Sequence, residues 1–202
     1  MSLWSVGSAP WLLGAGLLLA LAGAPASAAP ADAVAGAAKS AACGACHGAQ
    51  GVSQALAIPS LAGQPALSLV YQLIQFREKR RLWPAMNAIA EPLSDQDMKD
   101  IAAHFAALPP APGFPQTDAQ KLEAGRLVSR VQYCDSCHAA GLRGQKHIPR
   151  LAGQSPDYLS LQLQNLRSGA RADIDGTMAS AAQGLSNADI EAVSAYAASL
   201  GP

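Results

Sequence analysis

Residues 43–47 read CGACH and residues 134–138 read CDSCH. Each is Cys-x-x-Cys-His, and the two stretches use all four cysteines of the 202-residue chain. Two thiols and an imidazole at this spacing serve a zinc site, a redox disulfide or a covalent haem attachment. The rest of the sequence decides among these readings.

The stretches sit in a longer internal repeat. IPSLAGQPALSLVYQLIQFREKRR from Ile58 is answered by IPRLAGQSPDYLSLQLQNLRSGAR from Ile148, at a constant offset of 90 residues. PLSDQDMKDIAAHFAALP from Pro92 answers GLSNADIEAVSAYAASLG from Gly184 at an offset of 92, two residues having entered the second copy before its methionine. The Pro-rich stretch PPAPGFPQ, residues 109–116, cannot continue a helix and reads as a short stiff linker. The expected organisation is a domain over residues 29–108, the linker 109–116 and a second domain over 117–202.

Both halves read as helical. Met98, Ile101, Phe105 and Leu108 recur at helical spacing, as do Ile190, Val193, Ala197 and Leu200. Ser94 with Asp97, and Ser186 with Asp189, form capping signatures ahead of these stripes. A middle helix is expected from near Pro65 and near Pro156, with Leu69, Leu73 and Phe76 matched by Leu159, Leu163 and Leu166. A first helix leads into each pentapeptide, and no segment alternates like a strand. The fold class is therefore all-α. Three modest helices with long Gly/Pro-rich loops bury little apolar surface at this size, so something further must fill each core.

Residues 1–31 carry no charged side chain and contain the apolar run from Trp11 to Gly23, which is short for a bilayer crossing. Ala26-Ser27-Ala28 follows, so residues 1–28 read as an export signal cleaved after Ala28, with retention as a membrane anchor the alternative. Residues 29–110 hold six basic and six acidic side chains, and residues 111–202 hold eight of each. Neither half has the basic excess that a nucleic-acid partner requires. The run REKRR at 77–81 reads as a solvated helix end.

In an exported protein, four cysteines first suggest disulfides. Two Cys-x-x-Cys disulfides would close very short loops, stabilise little and leave the following histidines unexplained. A zinc site needs a fourth vertex that a His adjacent to its Cys reaches poorly. A thioredoxin-like pair needs a βαβ context, which is missing. Covalent haem attachment uses every residue of the motif: two thioether bonds from the cysteines and an axial bond from the histidine. The haem also supplies the apolar core that the helices lack.

With both CxxCH motifs, both P-x-L-A-G-Q stretches and a methionine before each final helix, nearly the whole mature chain resembles a di-haem class I cytochrome c of the cytochrome c4 family. The resemblance implies two tandem class I cytochrome c domains, each a small helical fold around one covalent haem c. Carried over by position, Cys43 and Cys46 hold haem 1 with His47 as axial ligand, and Cys134 and Cys137 hold haem 2 with His138. The sixth ligand should occupy matching positions, and Met86 in WPAMN matches Met178 in DGTMA. Met98 matches Ile190, which cannot bind iron, and belongs to the core. Met86 and Met178 are expected in loops. Pro59 and Pro149 are expected to accept the Nδ1 protons of the two histidines, as the resemblance implies. Arg81 and Arg171 are matched candidates for the haem propionates, Gln64 and Gln154 for fixing loops, and His104 and His147 for packing or surface roles.

Two irons with both axial positions filled leave no place for a substrate, so the reading is an electron carrier rather than an enzyme. The resemblance implies haems packed across the domain contact, a periplasmic location, a quinol-oxidising complex or a dehydrogenase as donor, and a terminal oxidase as acceptor. The alternative is the haem subunit of a periplasmic oxidoreductase complex such as a flavocytochrome sulfide dehydrogenase. A di-haem peroxidase would need one iron open, which the matched methionines oppose.

Overall fold

The computed structural model describes residues 1–3 and 29–202. The export-signal reading covers residues 1–28, of which 4–28 lie outside the described residues. Among the described residues the chain is helical, with one isolated antiparallel bridge between Gln145 and Ile148 and no strand. The N-terminal half runs α1 (Ala33–Lys39), α2 (Gly44–His47), α3 (Ala66–Arg77), α4 (Pro84–Ala90) and α5 (Asp95–Ala107). The C-terminal half repeats that order as α6 (Ala119–Val131), α7 (Cys134–His138), α8 (Pro156–Ser168), α9 (Thr177–Gln183) and α10 (Asn187–Ser199). Residues 109–118 between them are irregular.

The expectation of three helices per half is corrected upward. The pentapeptides themselves form single helical turns, and the methionine segments form α4 and α9 rather than loops. Those segments are too short to show an apolar period, and their helicity comes from their N-termini. Pro84 opens α4 with its φ already set for a helix. Asp175 and Asp173 accept the first free N–H groups of α9.

In each half the first helix crosses the last, α1 on α5 and α6 on α10. A glycine permits each crossing: a Cβ on Gly36 would lie 1.9 Å from the Asp100 carbonyl oxygen, and one on Gly125 2.1 Å from that of Ala192. Both terminal helices begin with a complete capping box, Ser94 with Asp97 and Ser186 with Asp189, each worth about 1 kcal/mol. The apolar clusters are small. Leu69, Ile101, Ala102 and Phe105 form one, with Cys43 against it; Leu142, Ala152, Leu159 and Ala197 form the other, with Cys134 against it. Met98 and its counterpart Ile190 are fully buried on their helices.

The first and last helices are tied more closely by charge in the N-terminal half than in the C-terminal half, where Lys121 on α6 lies 3.6 Å from Glu191 on α10. Lys39 at the end of α1 bonds Asp97 at 2.8 Å and Asp100 at 2.6 Å on α5. The Lys39 ammonium, with help from Ser94, holds the Asp97 carboxyl at about 2. Lys39 and then the Asp32 amide hold Asp100 below the usual carboxylate range. In the second half Ala192 stands where Asp100 does in the first. Carboxylates with lowered folded-state values stabilise above their unfolded value of 3.8 and lose that contribution as pH falls through about 2. Acidification across that window should loosen α1 before α6, read by hydrogen exchange on the holoprotein. Lys39→Met should weaken α1 at neutral pH and remove most of this acid dependence.

Candidate haem-binding sites

One helical turn places Cys43 with Cys46, and Cys134 with Cys137, three residues apart on a common helix face. All four thiols are free, Cys46 and Cys137 exposed and the others half-buried. Burial pushes the Cys43 and Cys134 thiols up, so they are not activated thiolates. Among the described residues no three His, Cys, Asp or Glu side chains gather as a zinc site would require. The thiols are thus set out in pairs one helical turn apart, the spacing that two thioether bonds to one ring use.

The backbone fixes the orientation of both histidine rings. His47 Nδ1 lies 2.8 Å from the Pro59 carbonyl oxygen, and His138 Nδ1 lies 2.8 Å from that of Pro149. A carbonyl only accepts, so Nδ1 carries the proton in both rings and Nε2 keeps its lone pair. Burial lowers both imidazole pKa values, against the opposing pull of the carbonyls, and favours the neutral ligating form. His138 Nε2 is buried with no hydrogen-bond partner. An orphaned polar atom of this kind costs about 1–3 kcal/mol unless something binds it, and a lone pair on a neutral imidazole can serve a metal ion.

Met86 and Met178 are both half-buried in the first turns of α4 and α9. Different residues hold the two segments. Asn87 Oδ1 accepts from the Trp83 amide at 2.8 Å while its Nδ2 donates to the carbonyls of Phe76 and Arg81, pinning α4 to the end of α3. In the second half Asp173 accepts from the Met178 amide at 2.7 Å and the Ala179 amide at 3.2 Å. Sequence reasoning missed Asn87 and Asp173, because they occupy unmatched positions in the repeat.

The halves meet through an approximate two-fold arrangement of matched residues. Arg81 donates to Gln72 Oε1 at 2.6 Å in its own half and to Gln162 Oε1 at 2.9 Å in the other. Arg171 mirrors it, donating to Gln162 Oε1 at 2.8 Å and Gln72 Oε1 at 3.2 Å. Tyr158 Oη accepts from Arg81 at 3.0 Å. Burial, and then repulsion from Arg81, lowers Arg171 to about 10, and its Nε has no partner. A buried guanidinium, Arg81, and a half-buried one, Arg171, both hydrogen-bonded to neutral acceptors, fit an anionic group such as a haem propionate. The offset of 90 residues already paired Gln72 with Gln162, a signal the sequence reading did not use. His147 stands edge-on to the Tyr71 ring of the other half, centroids 5.6 Å apart, and His104 packs on Phe105.

Family models match both halves: "Cytochrome C oxidase, cbb3-type, subunit III" over residues 29–105 and "Cytochrome c" over residues 122–201. Cytochrome c4 of Pseudomonas aeruginosa is 39% identical over 82% of this chain and 87% of its own length. The chain belongs to the cytochrome c4 family. The reduced recombinant cytochrome c4 from Pseudomonas stutzeri superposes with a TM-score of 0.79 at 35% identity, over 84% of this chain and 99% of that one. A "Thiosulfate dehydrogenase electron acceptor" of Stutzerimonas stutzeri is 37% identical over 79% of each chain. As a cytochrome c4 the protein has two tandem class I cytochrome c folds and two haem c groups, and it transfers electrons rather than catalysing a reaction. Among the described residues no helix is long and apolar enough to cross a membrane.

Proposed function

We propose that the protein is a periplasmic single-electron carrier with two closed His/Met centres, one in residues 29–108 and one in 117–202, joined by 109–116. Cys43 and Cys46 would hold haem 1 through thioethers, with His47 and Met86 as the ligands of its iron. Cys134 and Cys137 would hold haem 2, with His138 and Met178 as the ligands of its iron. When bound, each haem supplies a one-electron Fe(III)/Fe(II) couple, and a thioether ligand favours the reduced state. The observation that carries this reading is the buried, unpartnered His138 Nε2 behind a fixed Nδ1 proton.

The residues of the chain do three things for such a couple. The Pro59 and Pro149 carbonyls fix each imidazole and strengthen it as a donor. Asn87 and Asp173 hold the methionine segments, so that thioether and imidazole stay in place in both redox states. Arg81 and Arg171 hold the propionates at the junction of the halves, which keeps negative charge compensated away from water.

Residues 1–28 act as the export signal in this proposal, and a quinol-oxidising complex reduces the carrier, which passes electrons to a terminal oxidase. The relative named as a thiosulfate dehydrogenase electron acceptor supports a second reading for the donor, a dehydrogenase. Purification from native periplasm and membranes tests the proposal. The free carrier should be isolated alone, with two haems, and be reduced by membranes supplied with quinol. Isolation as a stoichiometric complex with a flavoprotein or another catalytic subunit would overturn the free-carrier role.

A further inference from the structure

We infer that Gln64 and Gln154 are positioning residues that act across the domain junction, each setting the donor strength of the axial histidine in the other half. The inference rests on His47 and His138 being the haem ligands, as proposed above.

The geometry lies in two peptide units. The unit between Pro59 and Ser60 presents its carbonyl to His47 Nδ1 at 2.8 Å and its N–H to Gln154 Oε1 at 2.8 Å. The unit between Pro149 and Arg150 presents its carbonyl to His138 Nδ1 at 2.8 Å and its N–H to Gln64 Oε1 at 3.0 Å. Each glutamine then closes a second bond: Gln154 Nε2 donates to the Ser60 carbonyl at 2.9 Å, and Gln64 Nε2 to the Arg150 carbonyl at 2.8 Å. Both side chains are buried, Gln64 8% exposed and Gln154 4%. The relay from either histidine therefore leaves its own half after one peptide and ends on the opposite half's LAGQ motif.

Hydrogen bonds in series polarise one another, and more so where water is excluded. An acceptor on the Ser60 N–H draws density toward the Pro59 carbonyl oxygen. That oxygen then binds the His47 Nδ1 proton more strongly, and the ring becomes a better electron donor to iron. A better donor favours the ferric state and lowers the midpoint potential. Removing Gln154 reverses the chain of effects at haem 1, and removing Gln64 reverses it at haem 2. A glutamine that merely glued the halves together would loosen both centres alike, so the crossed pattern separates the two roles.

The test is an NMR redox titration of the two-haem protein, with the signals of each haem followed separately and assigned with the Met86→Ala and Met178→Ala variants. Gln154→Met should raise the midpoint of haem 1 more than that of haem 2, and Gln64→Met should do the reverse. Gln154→Glu keeps an acceptor oxygen opposite the Ser60 N–H and adds charge to it, so haem 1 should move the opposite way, downward. The Glu variants supply the same crossed comparison if a Met variant assembles poorly. Equal shifts at both haems, a shift confined to the substituted half, or no shift while both sulfur-to-iron bands persist would overturn the inference. Loss of those bands from the unsubstituted protein would instead count against the His/Met assignment on which the inference rests.

Discussion

Met86→Ala should remove one of two sulfur-to-ferric-iron absorption bands and lower the potential of haem 1, leaving haem 2 with its band. Met178→Ala should do the same for haem 2. Exchanging a soft thioether for water or a harder ligand stabilises Fe(III). The expected drop exceeds ~60 mV, a tenfold change in a one-electron equilibrium. Met98→Ala is the internal control. Its side chain is fully buried on α5, so truncation should cost about 2–5 kcal/mol through lost packing and leave both bands in place. A band lost with Met98→Ala rather than Met86→Ala would transfer the ligand role to Met98.

Replacing Cys134 and Cys137 together by alanine should leave a chain with one covalent haem and an unfolded C-terminal half. Its contiguous apolar cluster is small, Leu142, Ala152, Leu159 and Ala197, and half of its other buried apolar side chains are alanines, little to offset the chain entropy of a domain of its size. The helical signal of α6 to α10 should be lost and the segment cut readily by protease, while α1 to α5 persist. The complementary Cys43→Ala/Cys46→Ala protein should unfold the other half. A compact, protease-resistant half without its haem would refute the view that the haem is the missing core.

The fold was legible wherever one segment's own residues decide its structure. The repeat offset, the stripes from Met98 and Ile190, and the Ser94 and Ser186 capping boxes each needed only local spacing, and each stands in the structure. The methionine helices were not legible, since α4 depends on a proline and an asparagine, and α9 on aspartates lying outside it. Gly36 and Gly125 could not be singled out either, because their need for a missing Cβ arises only when the first helix meets the last. The site divides in the same way. The cysteines and histidines announce themselves by motif and the methionines by register. By sequence Gln64 and Gln154 are candidates for fixing loops, with no partner indicated. Their actual partners lie 86 and 94 residues away along the chain, a pairing created by the two-fold docking of the halves.

That docking also explains why matched residues carry different duties from those a single domain suggests. Arg81 and Arg171 reach both Gln72 and Gln162, so their positive charge is shared across the junction. Two redox centres held by common residues cannot be tuned as independently as two separate cytochromes.

The central claim is that both irons are closed by one histidine and one methionine. Near-infrared magnetic circular dichroism of the fully oxidised protein, quantified against its covalent haem content, tests it most directly. Two haems per chain are expected, both with the signature of histidine–thioether ligation and both inert to added cyanide on mixing. A single haem per chain, or a bis-histidine or open high-spin iron at either site, would contradict it.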